Sequence, residues 1–226
     1  MAADERAPGR AEAGPAEAVP QATDPLVIRD LEYLGPMGQE GGWRPTPGLP
    51  EIAFSGRSNV GKSSLLNKLV RRKAFARVSN TPGRTREIHF FQVNRQFVLV
   101  DLPGYGYAKI SKDRRAEWRP LIEGFLRGSR ELRGIVQLLD MRRDPSDEDR
   151  GMFDFLADVG LPTIVALTKA DKLRAAERRE RVAAITDALG LDPEQVIPFS
   201  AVTGEGRDEL AQAIVELVAQ PAWREA

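Results

Sequence analysis

The sequence predicts an α/β fold, in which a six-stranded, mostly parallel sheet is covered by helices on both faces. Three observations predict it. Short apolar runs alternate with longer segments of helical periodicity. A glycine-rich loop of the phosphate-binding type stands between the first of the six predicted strands and the first helix. Two neighbouring apolar runs, joined by Asn94-Arg95, have hairpin spacing and would supply one antiparallel edge strand.

Length and composition favour a single domain. The 226 residues suffice for one such domain and are short for two. Residues 1–24 are mostly Ala, Pro, Glu and Gly without periodicity, so we expect a disordered tail before one domain over residues 25–226. The absence of cysteine excludes disulfides and thiolate metal sites. There is neither a membrane-spanning apolar run nor a signal peptide, and we expect a cytoplasmic protein.

The predicted elements follow in a regular order after an extended or edge-strand candidate at Leu26 to Leu34. The six strands are Glu51 to Ser55, Ile88 to Val93, Phe97 to Val100, Gly134 to Leu139, Pro162 to Leu167 and Gln195 to Phe199. The helices are Ser64 to Val70, Lys112 to Arg127, Ser146 to Val159, Ala175 to Leu189 and Gly206 to Val218. Residues 71–86 lack periodicity and contain turn-forming residues, which predicts a mobile loop.

The glycine-rich loop fits the pattern G-x-x-x-x-G-K-[ST] at every specified position. It reads Gly56-Arg57-Ser58-Asn59-Val60-Gly61-Lys62-Ser63 and is followed by Ser64. Its backbone N–H groups and the helix N-terminus together favour a phosphate. Lys62 would reach the β- and γ-phosphates, and the Ser63 hydroxyl would ligate Mg²⁺. A chance match is the alternative, but the flanking strand and helix argue against it.

A second candidate segment, Asp101-Leu102-Pro103-Gly104, comes directly after an apolar strand. There Asp101 can reach the shell of a bound Mg²⁺, and the Gly104 N–H can approach a γ-phosphate. The D-x-x-G pattern alone is weak evidence, because a polar turn at the end of a strand would also explain it.

A third segment, Thr168-Lys169-Ala170-Asp171, indicates which base is bound. The Asp171 carboxylate can accept from N1–H and the 2-amino group of guanine, whereas adenine offers neither donor. The Lys169 stem would lie over the base. Phe199 ends the last strand, and Ser200-Ala201, which follows it, could offer a backbone N–H to guanine O6. All these segments follow strands, and open α/β sheets bind ligands at the carboxyl ends of their strands.

These segments resemble the GTPase superfamily. From about Leu26 to Val218 the chain is similar to the EngB (YsxC) family of ribosome-assembly GTPases, within the TrmE-Era-EngA-EngB-septin-like group. Four stretches carry the resemblance: Leu49-Pro50-Glu51-Ile52-Ala53-Phe54 with the loop that follows, Thr81-Pro82-Gly83-Arg84-Thr85, Asp101-Leu102-Pro103-Gly104-Tyr105-Gly106-Tyr107-Ala108, and Thr168-Lys169-Ala170-Asp171-Lys172. The resemblance implies a Ras-like P-loop GTPase fold, GTP and GDP as ligands with Mg²⁺, and slow intrinsic hydrolysis of GTP to GDP and phosphate.

The resemblance also implies roles for residues of the loop before the hairpin. Thr85 would ligate Mg²⁺ in the GTP state, and Gly83 and Arg84 would lie beside the nucleotide. Thr81 is a competing candidate that spacing alone does not separate from Thr85. The family is expected to carry glutamine where this chain has Arg86.

The resemblance further suggests K⁺. Many GTPases orient the attacking water with a glutamine where this chain has Tyr105, and a phenol cannot replace that amide. In related GTPases that lack the glutamine, an asparagine matching Asn59 helps to hold K⁺. Alternatively, Asn59 only stabilises its turn. The candidate catalytic residues are therefore Lys62, Thr85, Gly104 and Asn59.

The implied partner is the large ribosomal subunit or its precursor, both rRNA and protein, with a role in cell division and septation. Eight positive residues against Glu87 between Lys68 and Arg95 give a local charge of +7, which suits RNA phosphates. A solvated basic face is the alternative.

A regulatory GTPase acting only on proteins and a P-loop nucleotide kinase are the rival functions, and Asp171 argues against the kinase. We expect a monomer that binds neither membrane nor DNA, with a structural role for His89.

Overall fold

A computed structural model describes residues 23–39, 41–45, 47–72, 87–106 and 112–224, with the side chains of 112–119 left out. The strands are β1 (Leu31–Met37), β2 (Glu51–Gly56), β3 (Ile88–Val93), β4 (Phe97–Asp101), β5 (Leu132–Asp140), β6 (Thr163–Thr168) and β7 (Val196–Pro198). The α-helices are α1 (Lys62–Leu69), α2 (Lys112–Gly128), α3 (Asp147–Val159), α4 (Ala175–Leu189) and α5 (Arg207–Ala219). Short 3-10 helices cover Ala170–Lys172 and Pro193–Gln195.

The strands form one sheet in the order β1-β3-β4-β2-β5-β6-β7. Strands β4, β2, β5, β6 and β7 run parallel, whereas β3 is antiparallel to β4 and β1 is antiparallel to β3. The predicted fold class is confirmed, but the sheet has seven strands rather than six. The additional strand is β1, which overlaps the edge-strand candidate at Leu26 to Leu34 and takes the edge position beyond β3. The strand that runs against the others is β3 of the hairpin, as predicted, but it is the second strand of the sheet and not its edge.

Helices cover both faces of the sheet. Ile52 and Phe54 of β2 point towards α1 and α5, and Ala53 between them points towards α2 and α3. All six residues of β2 are buried, as expected for a central parallel strand. The phosphate loop therefore starts from the most enclosed strand of the sheet, which gives the site a rigid base.

The segment before β1 is fastened to the domain by two side chains. Asn94, in the β3–β4 turn, accepts from the N–H groups of Arg29 (2.8 Å) and Asp30 (3.1 Å). The buried guanidinium of Arg207 donates to the Leu26 carbonyl (2.9 Å) and contacts the Asp24 carboxylate. Asp24, which the sequence placed at the end of the tail, thus contacts the domain; residues 1–22 lie outside the described part of the chain.

The buried carboxylate of Glu51 lies at the amino end of β2, away from the phosphate loop. Glu51 accepts from the Ser129 hydroxyl (2.7 Å) and contacts Arg44, whose guanidinium lies over the rings of Phe90 and Phe125. Burial raises the pKa of Glu51 in spite of Arg44. Through Arg44, the loop before β2 covers the amino end of this strand. None of the helices in the described residues is long and apolar enough to cross a membrane.

Candidate nucleotide-binding site

The phosphate loop joins the end of β2 to α1 through a tight turn that needs glycine. A Cβ on Gly56 would lie 2.9 Å from a methyl carbon of Val60 and 3.1 Å from the Leu138 carbonyl oxygen. Gly61 caps α1 with a φ of 108°, in the left-handed region. It has no side chain with which to cap the first N–H groups of α1, so these groups can serve an anion.

The structure brings Lys62 and Asp101 into contact, although 39 residues separate them. Asp101 ends β4, which pairs with β2 so that Asp101 lies opposite Phe54. The carboxylate is 2% exposed and contacts the Lys62 ammonium group. The residues predicted to serve phosphate and Mg²⁺ therefore share one place, next to Ser63 at the start of α1.

The segment after Asp101 runs alongside the phosphate loop. The N–H of Ser58 donates to the Tyr105 carbonyl (2.7 Å), and the N–H of Tyr105 donates to the Gly56 carbonyl (3.2 Å). A Cβ on Gly104 would lie 3.3 Å from the backbone nitrogen of Ser58. Gly104 is thus close to the phosphate loop, as predicted, and Leu102 and Pro103 before it are buried.

Tyr105, at the position where other GTPases carry glutamine, faces the protein interior. Its hydroxyl donates to an Asp149 oxygen (2.8 Å) and accepts from the Gln137 amide (2.6 Å). Burial and the neighbouring Asp149 raise the pKa of Tyr105 well above its usual value. Sequence reasoning missed Gln137 and Asp149. A glutamine inside an apolar strand was the one available signal.

The predicted base-recognition residues also converge. Asp171 accepts from the Ser200 hydroxyl (2.8 Å) and lies 3.1 Å from the Lys172 ammonium. These two interactions, the Ser200 bond first, lower the pKa of Asp171 against the effect of burial. The Ala170 N–H donates to the Phe199 carbonyl (3.1 Å), which joins the last two predicted segments. Asp171 is therefore a fixed, ionised acceptor.

Lys169 and Thr168 tie the base-recognition segment to the phosphate loop. The Lys169 ammonium donates to the Asn59 carbonyl and to Asp140, each at 2.9 Å. The Thr168 hydroxyl lies 2.7 Å from the Val60 carbonyl oxygen. Sequence reasoning missed Asp140. Burial opposes ionisation of this carboxyl, but bonds from Arg142 and Lys169 outweigh burial and hold its pKa well below the usual range.

A cavity of about 500 Å³ opens beside the phosphate loop, towards α3. It is lined by Arg57, Asn59, Gly106, Asp144 and Asp149, among others. Lys62 and Asp171 are not in its lining. Its lining also includes Lys169 and the phosphate-loop residues Ser58 and Val60, so the cavity reaches both the phosphate loop and the base-recognition segment.

Other predicted residues cannot be placed. Gly83, Arg84, Thr85, the competing Thr81 and Arg86 all lie outside the described residues. Among the residues that the structure does describe, no group of three or more His, Cys, Asp and Glu side chains could hold a metal ion. The predicted Mg²⁺ site contains a single carboxylate, Asp101, and substrate phosphates would supply further ligands.

His89 has the structural role expected of it. It is buried in β3, where its Nδ1 is 2.9 Å from the Tyr33 hydroxyl. Burial lowers the pKa of His89.

Four of the eight basic residues predicted between Lys68 and Arg95 lie in the described part of the chain. Arg71 lies 3.3 Å from Asp24 and 3.7 Å from Asp208, and Arg95 lies 3.6 Å from Asp30. These carboxylates, outside the stretch from which the local charge was counted, offset part of it. The four members outside the described residues are Lys73, Arg77, Arg84 and Arg86.

Comparisons with known proteins identify the family of the chain. A family profile described as a 50S ribosome-binding GTPase matches residues 51–169, and one described as the elongation factor Tu GTP binding domain matches residues 121–220. The chain is 70% identical over 199 residues to a probable GTP-binding protein EngB of Gemmatimonas aurantiaca, covering 88% of this chain and 98% of the relative. It is 46% identical to the corresponding protein of Citrifermentans bemidjiense, covering 87% and 92%. A crystal structure of a probable GTP-binding protein engB superposes with a TM-score of 0.64 at 26% identity, covering 74% of this chain and 98% of that one.

Proposed function

Because the chain belongs to the EngB family of GTP-binding proteins and is a GTPase, we propose that its GTP-driven switch acts in assembly of the large ribosomal subunit. The observation that carries the nucleotide part of this proposal is the convergence of Lys62 with Asp101, and of Asp171 with Ser200, at one edge of the sheet. The ribosomal part is supported by the family resemblance and by the description of the matching family profile.

The proposed placement of the nucleotide follows from the donors and acceptors. The phosphates take the N–H groups at the start of α1 and the Lys62 ammonium, while guanine takes the Asp171 carboxylate and an N–H of the Ser200-Ala201 segment. Mg²⁺, when bound, neutralises charge on the phosphates. Ser63 and Thr85 would hold it directly, and Asp101 would hold it through water.

The proposed switch uses the two segments that meet the γ-phosphate. GTP draws the Thr85 loop and Gly104 towards this phosphate, and hydrolysis removes the group that holds them. The Gly104 N–H and the Lys62 ammonium stabilise the phosphate charge. Tyr105 faces the interior and does not orient water. Assistance from K⁺ near Asn59 or from a partner would complete the site.

For the partner, we favour rRNA over a protein-only target. The support is the family resemblance together with the basic residues between Lys68 and Arg95. Since Arg71 and Arg95 face carboxylates, most of the contact with RNA phosphates would fall to Lys73, Arg77, Arg84 and Arg86.

Cosedimentation with purified large-subunit precursors tests the proposal. We expect association with a non-hydrolysable GTP analogue, weaker association with GDP, and loss of association after nuclease treatment. Neutralising Lys73 and Arg77 should weaken binding and flatten its salt dependence, while neutralising Arg178 and Arg179 on α4 should not. Association that survives nuclease would favour a regulatory GTPase that acts only on proteins.

A further inference from the structure

The buried side chain of Tyr105 links the D-x-x-G segment to helix α3. We propose that Tyr105 and Asp149 are positioning residues for GTP hydrolysis, because their hydrogen bond holds Gly104 where a γ-phosphate would meet its N–H. The inference rests on the proposed function, in which Gly104 contacts the γ-phosphate. It adds residues that act on Gly104 and do not touch the nucleotide.

Gly104 is fixed from both sides along the backbone. Before it, the N–H of Leu102 donates to the Phe54 carbonyl (3.0 Å). After it, Tyr105 exchanges backbone hydrogen bonds with Gly56 and Ser58. The position of Gly104 against the phosphate loop therefore depends on keeping Tyr105 in place.

Two buried polar side chains keep the Tyr105 side chain in place. Its hydroxyl donates to Asp149 and accepts from Gln137, so the direction of its O–H bond is set by both partners. Gln137 and Asp149 are buried, at 0% and 3% exposure. Loss of the hydroxyl would leave a buried carboxylate oxygen without that donor, which is costly, so the network resists displacement of the ring.

Asp149 is itself held by the start of α3. Its second carboxylate oxygen accepts from the backbone N–H (2.9 Å) and the hydroxyl (2.7 Å) of Ser146, the residue that caps the helix. The oxygen that faces Tyr105 is therefore set by the helix cap. In this way α3 is mechanically joined to Gly104.

A second contact reinforces the same connection. A Cβ on Gly106 would lie 2.8 Å from Nε of Arg57, so the Arg57 side chain lies directly on this glycine. The Arg57 guanidinium is also 4.0 Å from the Glu148 carboxylate on α3. The phosphate loop, residues 104–106 and the first turn of α3 thus form one set of contacts.

The test uses Tyr105→Phe, which removes one oxygen atom, and Tyr33→Phe as the matched control. Tyr33 lies in the edge strand β1, and its hydroxyl bonds to His89 of β3. Four quantities are measured for each variant: the dissociation constant for GDP, that for a non-hydrolysable GTP analogue, the rate of single-turnover GTP hydrolysis and the melting temperature. For Tyr105→Phe we expect the affinity for the GTP analogue to fall by about tenfold more than the affinity for GDP. This factor corresponds to the loss of one hydrogen bond to a charged group. We also expect slower GTP hydrolysis. Tyr33→Phe should change neither the ratio of the two affinities nor the rate of hydrolysis.

Asp149 provides the second pair of variants. Asp149→Ala should reproduce the loss of GTP preference, and Asp149→Asn, which keeps an acceptor for Tyr105, should restore much of it. Ser146→Ala removes the hydroxyl that caps the helix but keeps the backbone N–H that also orients Asp149, so it should lower the melting temperature and reduce the GTP to GDP preference less than Asp149→Ala does.

Equal losses of GTP and GDP affinity in Tyr105→Phe and Asp149→Ala, or a lower melting temperature alone, would overturn the positioning role. Failure of the proposed function is distinguishable from failure of the positioning role. In the first case the wild-type protein would show no association with ribosomal precursors, regardless of the nucleotide affinities of the variants.

Discussion

The Lys169 ammonium donates a hydrogen bond to the backbone carbonyl of Asn59 over 2.9 Å. This bond joins the base-recognition segment to the phosphate loop across 110 residues of sequence. Asp140 accepts from the same ammonium, also at 2.9 Å. The distance between the sites for guanine and for the phosphates is therefore set by a lysine whose own position depends on a carboxylate.

Asp140→Asn should weaken GDP and GTP by similar factors of about three to ten, since it removes the charge that orients Lys169. Asp144→Asn is the control, because Asp144 lies in the loop that follows β5, four residues after Asp140, and pairs with Arg181. Fluorescence titration with labelled nucleotides measures both. Equal affinities for the two variants would show that Lys169 needs no help from Asp140.

Asp171→Asn should weaken GTP binding by about 100-fold or more and improve binding of xanthosine triphosphate, because an amide can donate to the 2-oxo group of xanthine. The substitution keeps an oxygen that can accept from Ser200, so the fold should survive. Calorimetric titration of both nucleotides gives the ratio. Unchanged GTP affinity would exclude Asp171 as the guanine acceptor.

Potassium should accelerate hydrolysis relative to sodium at equal ionic strength, and Asn59→Ala should abolish the difference. Asn59 is exposed on the phosphate loop in a left-handed conformation with a φ of 64°. Turnover is measured for both proteins in KCl and NaCl. Stimulation that survives the substitution would leave Asn59 with only a role in the turn.

Acid should destabilise the protein through Asp140. Its folded-state pKa lies below the value of about 3.9 expected in the unfolded chain, so its contribution is fully present above that value and is lost as pH falls towards the folded pKa. Urea unfolding at pH 6 and pH 3.5 measures the loss. Asp140→Asn should show a smaller loss than wild type, and an identical pH dependence would contradict the expectation.

Removal of residues 1–22 should leave the melting temperature within a few degrees of the full chain. Asp24→Ala should instead lower the free energy of unfolding by about 1 kcal/mol, because the buried Arg207 loses one of its carboxylate partners. Asp30→Ala is the control, since Asp30 faces the exposed Arg95. Thermal unfolding of the three proteins compares them, and a large loss on removing residues 1–22 would show that the tail packs on the domain.

Local patterns predicted much of the fold. β3 and α4 have the bounds that periodicity indicated, Ile88–Val93 and Ala175–Leu189. β1 could not be predicted as a full strand, because it contains Gly35 and Pro36 and a bulge interrupts its alternation. Its pairing with β3, more than 50 residues away, decides its conformation.

In the candidate site, too, local patterns are predictable and contacts between distant parts of the chain are not. Lys62, Asp101 and Asp171 were predictable because each sits in a short motif whose chemistry is local. Asp140 and Asp149 were not, because their partners Lys169 and Tyr105 are 29 and 44 residues away in the chain. Such partners are decided by how β5 and α3 pack beside the phosphate loop.

Both edges of the described sheet carry a proline. Pro36 interrupts the outer strand β1, and Pro198 ends β7, which has only three residues. Proline lacks the N–H that an incoming strand would need, and β1 also covers the edge that β3 would otherwise present. Neither proline could therefore donate a backbone hydrogen bond to a strand added at its edge. We therefore expect a partner to contact the helices and loops, where the bound nucleotide can change the exposed surface.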